Sequence, residues 1–170
     1  MVYPGVGAIR DCIGELKSRG LDELILEIVN SKPMLAICVG MQGLMRRSEE
    51  NDGIDCLNVL PYDVVYFGDH LLGTDGSALK VPHMGWNTVK QTIAHPLWKG
   101  IDDNAHFYFV HSYCVRSEGC AEIAGLTRYG FDIVSAVSHN NVFAVQFHPE
   151  KSHTNGLQLL NNFMQWDGQA

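Results

Sequence analysis

The stretch Met34-Leu35-Ala36-Ile37-Cys38-Val39-Gly40-Met41-Gln42 has the pattern of a buried strand that turns sharply into a helix. A short apolar run leads to Cys38, and Gly40 precedes a helix that we predict over residues 41–47. Such a turn exposes a nucleophile at the carboxyl edge of a sheet, and a helix N-terminus favours the thiolate. The stretch therefore predicts an α/β fold with Cys38 as a nucleophile.

A second candidate element, Gln146-Phe147-His148-Pro149-Glu150, lies far downstream. Residues 142–147 are apolar and rich in strand formers, so His148 falls at the end of a predicted strand. Side chains at i and i+2 of an extended chain point to the same side, and Pro149 keeps His148 extended. Glu150 can therefore hold one imidazole nitrogen while the other faces the Cys38 sulfur, as in a catalytic triad.

Both residues also have a simpler interpretation. A cysteine in an apolar run is most often a small buried hydrophobe, and a histidine at a strand end is usually a surface residue or a hydrogen-bonded core residue. Gly40, the helix start and the His-Pro-Glu triplet occur together here, and this combination favours the catalytic interpretation.

Five segments, in this order along nearly the whole chain, resemble the class I (triad-type) glutamine amidotransferases. They are Pro4-Gly5-Val6-Gly7-Ala8, Ile37-Cys38-Val39-Gly40-Met41-Gln42, Lys80-Val81-Pro82-His83-Met84-Gly85-Trp86-Asn87, Phe107-Tyr108-Phe109-Val110-His111-Ser112-Tyr113 and Gln146-Phe147-His148-Pro149-Glu150-Lys151-Ser152. The cysteine and His-Pro-Glu segments are shared by the whole class. The third and fourth segments resemble the glutaminase subunit of imidazole glycerol phosphate synthase.

The resemblance implies a thioester mechanism. Cys38 attacks the side-chain amide of glutamine, His148 moves the proton and Glu150 orients His148. The oxyanion hole is implied at the Val39 N–H and in the glycine loop at Val6 and Gly7. The remaining positions implied to bind glutamine are Gly5, Gln42, His111, Ser112 and Tyr113.

The same resemblance implies a partner. In this family the glutaminase forms a heterodimer with a cyclase, a (β/α)8 barrel that uses the ammonia to make imidazole glycerol phosphate and the purine precursor AICAR in histidine biosynthesis. No cofactor is implied, and the histidines show no metal-ligand spacing. The positions implied to face the cyclase are Pro82, Met84, Trp86, Asn87, Tyr108 and Lys151.

The family fold is flavodoxin-like, a doubly wound and mostly parallel sheet with helices on both faces. Family members place a βαβ opening before the glycine loop, whereas here the loop starts at Pro4. We therefore expect a single amidotransferase domain over residues 1–170 that is N-terminally incomplete, with unpaired strands and an open apolar face. A start codon assigned too late, a fragment and a truly shortened protein would each explain this, and we favour the first.

Composition limits the function classes. The 170 residues are 46% apolar, enough for the core of one domain. The net charge of -7 argues against nonspecific binding to nucleic acid or anionic lipid, and no apolar stretch reaches the length of a membrane span. An odd number of cysteines, five, without CxxC spacing argues for reduced thiols in the cytoplasm.

Periodicity predicts the other elements. We predict helices over residues 8–19, 21–30 and 152–166, and strands over residues 59–67, 79–89, 106–115, 121–127, 133–138 and 142–147. Asn140-Asn141 predicts a hairpin turn. Arg46-Arg47 followed by Glu49-Glu50 predicts a solvated helix end.

Two other functions fit the same residues. One is a paralogous glutaminase that supplies ammonia to another synthase, such as one that amidinates a surface sugar, and neighbouring genes would separate the two. The other is an inactive partner-binding module, which the intact Cys38, His148 and Glu150 argue against.

Overall fold

The computed structural model describes residues 1–169, which form a curved mixed sheet with helices packed against it. The helices are α1 (Ile9–Ser18), α2 (Leu21–Ile28), α3 (Val39–Gly43) and α4 (His153–Gln165). The strands are β1 (Val2–Gly5), β2 (Met34–Cys38), β3 (Arg47–Ser48), β4 (Ile54–Asp55), β5 (Asp63–Tyr66), β6 (His83–Gln91), β7 (Ala105–His111), β8 (Tyr113–Arg116), β9 (Ile123–Tyr129), β10 (Phe131–His139) and β11 (Val142–Val145). None of the helices within these residues is both long and apolar enough to span a membrane.

The strand order is β1-β2-β11-β10-β8-β5-β3-β4, and β9 joins β10 to a β6–β7 hairpin. The α/β class is confirmed, but the expectation of a mostly parallel sheet is wrong for the described residues. Parallel pairing is confined to β1–β2, β2–β11 and β3–β5. The other pairs are antiparallel because several consecutive strands are joined by short turns, such as Asn140–Asn141 between β10 and β11.

The glycine loop follows a strand, which corrects a second expectation. We expected unpaired strands beside the glycine loop, yet Val2–Gly5 pair in parallel with Leu35–Cys38. Pro4 is tolerated because β1 pairs with β2 on one side only within the described residues, and an edge strand can lack one N–H. Apolar side chains of β1 and α2 are exposed, among them Val2, Leu21, Leu24 and Leu26.

Most predicted elements exist, with shifted ends. The helices at residues 8–19, 21–30 and 152–166 correspond to α1, α2 and α4, and the Asn140–Asn141 hairpin is confirmed. Residues 59–62 are not strand, because Leu44 O accepts the N–H groups of Val59 and Leu60. The predicted strand 106–115 divides at Ser112, since β7 pairs with β6 whereas β8 pairs with β5 and β10.

The strand-to-helix turn at Cys38 requires close packing against β1. Cys38 has a φ of 53°, a strained value for a residue with a side chain. At Gly40 a Cβ atom would overlap the backbone oxygen of Tyr3, and at Gly5 it would lie 2.8 Å from Gly40 N. The two glycines thus allow α3 to start directly against β1.

We predict that Gly40→Ala destabilises the chain by about 1–3 kcal/mol, because backbone must move to admit the methyl group. Gly14→Ala is the matched control: its added Cβ meets nothing within 4 Å, and alanine in a helix is favoured by up to about 1 kcal/mol. Urea unfolding measures both changes. Equal stability of the two variants would contradict the packing described here.

Candidate active site

The three parallel strands β1, β2 and β11 place the candidate catalytic residues at one edge of the sheet. Gly5 pairs with Cys38, and Val145 pairs with Ile37. The glycine loop, the elbow and the His-Pro-Glu segment follow directly after these strands. Because carboxyl ends of parallel strands meet at the same edge, residues distant in sequence converge there.

A cavity of about 420 Å³ opens at this edge. Cys38 and His148 both line it, as do Val39 and the glycine-loop residues Val6 and Gly7. The further lining residues are Gln42, Glu50, Pro82, Val110, His111, Ser112, Tyr113 and Lys151. The structure therefore brings the proposed nucleophile, base, oxyanion donors and most of the predicted glutamine-binding residues to one space.

One ring nitrogen of His148 contacts Glu150, and the other is unpaired among the described residues. Its Nδ1 lies 2.6 Å from Glu150 Oε1, while its Nε2 is buried and has no hydrogen-bond partner among residues 1–169. The backbone is fixed as well, because His148 N donates to Tyr108 O at 2.9 Å. Ser152 Oγ accepts from Tyr108 N at 2.9 Å and lies 2.6 Å from His148 O, to which it donates.

The Cys38 thiol is buried and neutral in this state. Burial raises its pKa to about 11 and the Glu150 carboxylate adds to the rise, whereas the Val39 backbone and the Gln146 side chain partly oppose it. A neutral thiol is a weak nucleophile. Attack by this thiol on any substrate would therefore require a base that accepts its proton.

Gln42 and His111, both predicted to bind glutamine, also donate hydrogen bonds that fix the cavity lining. The carbonyl of Tyr113 accepts from Gln42 Nε2 at 3.0 Å and from His111 Nδ1 at 2.8 Å. His111 Nε2 lies 3.0 Å from His83 Nδ1, and His83 Nε2 lies 3.2 Å from Asn87 Nδ2. Asn87, predicted to face the partner, thus points its amide into the fold and also donates to Arg128 O at 3.1 Å.

Some predicted residues lie outside the cavity. Gly5 packs against Gly40, and Glu150 lies behind His148. Met84 and Trp86 are 62% and 46% exposed on β6, away from the cavity lining. Trp86 stacks on His153 with ring centres 5.0 Å apart and meets the edge of Tyr108 at 6.0 Å.

Sequence reasoning missed two residues. The expectation that Glu50 belongs to a solvated helix end is wrong, because Glu50 lines the cavity and its Oε2 accepts from Ile9 N at 3.0 Å. Ile9 and Glu50 meet only in the folded chain, so no local sequence pattern predicts this contact. Gln146 received no role, yet its Nε2 lies 3.8 Å from Cys38 Sγ. Its place two residues before His148 was the available signal.

A sequence profile of the family "Glutamine amidotransferase class-I" matches residues 1–166. The chain belongs to the class I glutamine amidotransferases. It is 54% identical over 168 residues to imidazole glycerol phosphate synthase subunit HisH 1 of Pseudomonas aeruginosa, covering 99% of this chain and 78% of that protein. It is 49% identical to the HisH subunit of Nitrosococcus oceani, with 99% and 78% covered.

Solved class I glutamine amidotransferase structures share the fold. A crystal structure described as a glutamine amidotransferase aligns with a TM-score of 0.66 at 20% identity, covering 96% of this chain and 76% of that one. The glutaminase domain of Trypanosoma brucei CTPS aligns with a TM-score of 0.59 at 19% identity, covering 98% and 71%. The family match and the HisH relatives confirm the resemblance inferred from the motifs, and these alignments show the shared fold. Among residues 1–169, no group of three or more His, Cys, Asp or Glu residues is placed to hold a metal ion.

We predict that acid destabilises the fold through its buried histidines. Burial lowers the pKa of His83 to about 4 and that of His111 to about 3, from 6.5. Between pH 6.5 and these values the unfolded chain binds protons that the folded chain does not, so the free energy of unfolding falls as pH decreases. The expected loss is about 1 kcal/mol per pH unit for each histidine.

Urea unfolding at pH 7.5 and 5.5 measures this loss. His83→Gln should reduce the pH dependence, because glutamine can replace the donor and acceptor without titrating in this range. His70→Gln, at an exposed position, is the matched control and should keep the wild-type dependence. An unchanged dependence in His83→Gln would show that His83 is protonated in the folded chain.

Proposed function

We propose that this chain is the glutaminase subunit of an imidazole glycerol phosphate synthase, hydrolysing glutamine to glutamate and ammonia for histidine biosynthesis. The observation that carries the proposal is that Cys38 and His148 line one cavity, with Glu150 bound to the Nδ1 side of His148. HisH relatives at about half identity over nearly the whole chain support it. Glutamine is the substrate, and the cytoplasm is the proposed location.

The first half of the reaction forms a thioester. The Cys38 sulfur attacks the side-chain amide carbon of glutamine while His148 Nε2 takes the thiol proton, and Glu150 stabilises the imidazolium at Nδ1. The negative charge that develops on the amide oxygen is held by the Val39 N–H. Collapse of the tetrahedral intermediate expels ammonia, which receives the proton from His148.

The second half of the reaction hydrolyses the thioester. Water, deprotonated by His148, attacks the thioester carbon, and glutamate and the Cys38 thiol are released.

The glycine loop supplies the second oxyanion donor in this proposal. Val6 is 74% exposed, and Gly7 has a φ of 90°, a value that favours glycine. The Val6 carbonyl accepts a bond from Cys12 Sγ at 3.4 Å. We propose that partner binding reorients this exposed loop so that one of its N–H groups faces the oxyanion, which would couple glutamine hydrolysis to the synthase.

The partner is a cyclase subunit, proposed as a (β/α)8 barrel in a heterodimer. Alternation along β6 places Met84 and Trp86 on its outer face, and Tyr108 lies beside Trp86 across the hairpin. Pro82 and Lys151 are exposed where the cavity opens, so a partner seated there would cover the cavity. Ammonia must stay unprotonated and away from bulk water, and a sealed interface provides this.

We predict that Cys38→Ala and His148→Ala each lower glutamine-dependent product formation on the order of 10³-fold or more. Ammonia-dependent synthesis by the cyclase should survive, because only the ammonia supply is lost. Glu150→Gln should lose less, since it orients the base rather than reacting. Cys120→Ala, away from the cavity, is the matched control. Equal loss of glutamine-dependent and ammonia-dependent activity in Cys38→Ala would count against the nucleophile.

We predict that Trp86→Ala or Tyr108→Ala weakens binding of the cyclase by about 2 kcal/mol, roughly 30-fold, because central aromatic residues dominate such interfaces. Lys151→Ala should cost less, as expected for a charge at the rim. Isothermal titration with the cyclase measures the affinities. Met164→Ala, exposed near the far end of α4, controls for loss of apolar surface. Wild-type affinity in both aromatic variants would rule out this face.

A further inference from the structure

Gln146 is a fully buried side chain between the end of β11 and His148. Its Oε1 accepts from Gln42 Nε2 at 2.9 Å, and its Nε2 lies 3.8 Å from Cys38 Sγ, within the range of an N–H bond to sulfur. Its backbone N–H donates to Ser135 O at 2.9 Å, which fixes where the side chain starts. Gln146 is not among the residues that line the cavity.

The orientation of this amide follows from its neighbours. A backbone carbonyl only accepts hydrogen bonds, so the Tyr113 oxygen requires the NH₂ group of Gln42 to face it at 3.0 Å. The same nitrogen is within bonding distance of one end of the Gln146 amide, which must therefore be the oxygen. The NH₂ group of Gln146 is left facing the Cys38 sulfur.

The Tyr113 carbonyl oxygen also accepts a second hydrogen bond, from His111. Its second lone pair accepts from His111 Nδ1 at 2.8 Å, so His111 Nε2 must accept from His83 Nδ1. His83 Nε2 then accepts from Asn87, whose NH₂ group is also fixed by the carbonyl of Arg128. In this chain of hydrogen bonds from Tyr113 to Arg128 each donor has an acceptor, and both imidazole rings are neutral. The Tyr113 carbonyl, which orients Gln42, therefore cannot rotate without breaking these hydrogen bonds.

We propose that Gln146 is a positioning residue for the proposed reaction: its side-chain N–H donates to the Cys38 sulfur and stabilises the thiolate that forms when His148 takes the proton. The inference rests on the proposed function for its catalytic meaning, but the contact itself concerns only the thiol. A hydrogen bond to a charged acceptor is stronger than one to a neutral acceptor. The Gln146 N–H therefore favours the thiolate over the thiol.

Two variants remove this N–H. Gln146→Glu keeps the oxygen that accepts from Gln42 and replaces only the NH₂ group. Gln146→Leu removes the NH₂ group without adding charge, although it also removes that oxygen, so the N–H is responsible for the effects that the two variants share. Gln158→Glu and Gln158→Leu are matched controls, because Gln158 is a half-buried amide on α4 that bonds Asn162.

The first measurement is alkylation of Cys38 in the full chain by iodoacetamide, followed by peptide mass spectrometry between pH 7 and 9. Iodoacetamide reacts with the thiolate, so loss of the donor should slow labelling about tenfold, equivalent to a shift of about one pH unit. The ultraviolet absorbance of the thiolate, with the matching Cys38→Ala variant subtracted, measures the same pKa shift without any reagent entering the site. A wild-type alkylation profile in either variant, or slowed alkylation without a change in thiolate absorbance, would overturn the proposal.

The second measurement is glutamine hydrolysis with the cyclase bound. Because Gln146 does not line the cavity, the variants should lower kcat about tenfold and change KM less than about twofold. A KM effect with unchanged kcat would instead assign Gln146 to substrate binding and overturn the positioning role. Failure of the proposed function is separately visible as hydrolysis retained by Cys38→Ala, and the alkylation result would still decide whether Gln146 acts on the thiol.

Discussion

The parallel alignment of β1, β2 and β11 is the constraint on which the site depends. It brings the glycine loop, Cys38 and His148 to one sheet edge although they lie in three distant parts of the chain. The alignment is close because Gly5 and Gly40 carry no side chains where β1 meets α3. A larger residue at Gly40 would push the start of α3 away from β1, and the Val39 N–H would move with it.

Burial of Cys38 at this edge of the sheet lowers the reactivity of its thiol. Removal of the Cys38 thiol from water raises its pKa to about 11, so the thiol is protected in the state described here. The neighbouring groups can favour the thiolate only when a base takes the proton from the thiol. His148 offers a free Nε2, and Glu150 is placed to stabilise its charged form.

The β6–β7 hairpin connects the cavity with the proposed docking face. Residues alternate along β6, so His83 and Asn87 point inward to the row of hydrogen bonds, while Met84 and Trp86 point outward. The inward residues help to fix the Tyr113 carbonyl, which in turn orients Gln42 and Gln146. A partner that contacts the outer face therefore rests on the same strand that supports the wall of the active site.

Local sequence patterns predict the α/β class, the elbow at Cys38, the His148–Glu150 pair and the family, because an apolar strand, a glycine after the cysteine and an i, i+2 spacing are visible in one segment. The mixed sheet, the division of the predicted strand 106–115 at Ser112, and the contacts of Glu50 and Gln146 depend on the folded chain. Strand partners and buried hydrogen bonds join segments that are distant in the chain, and neither periodicity nor spacing along one segment records which distant atom a side chain meets.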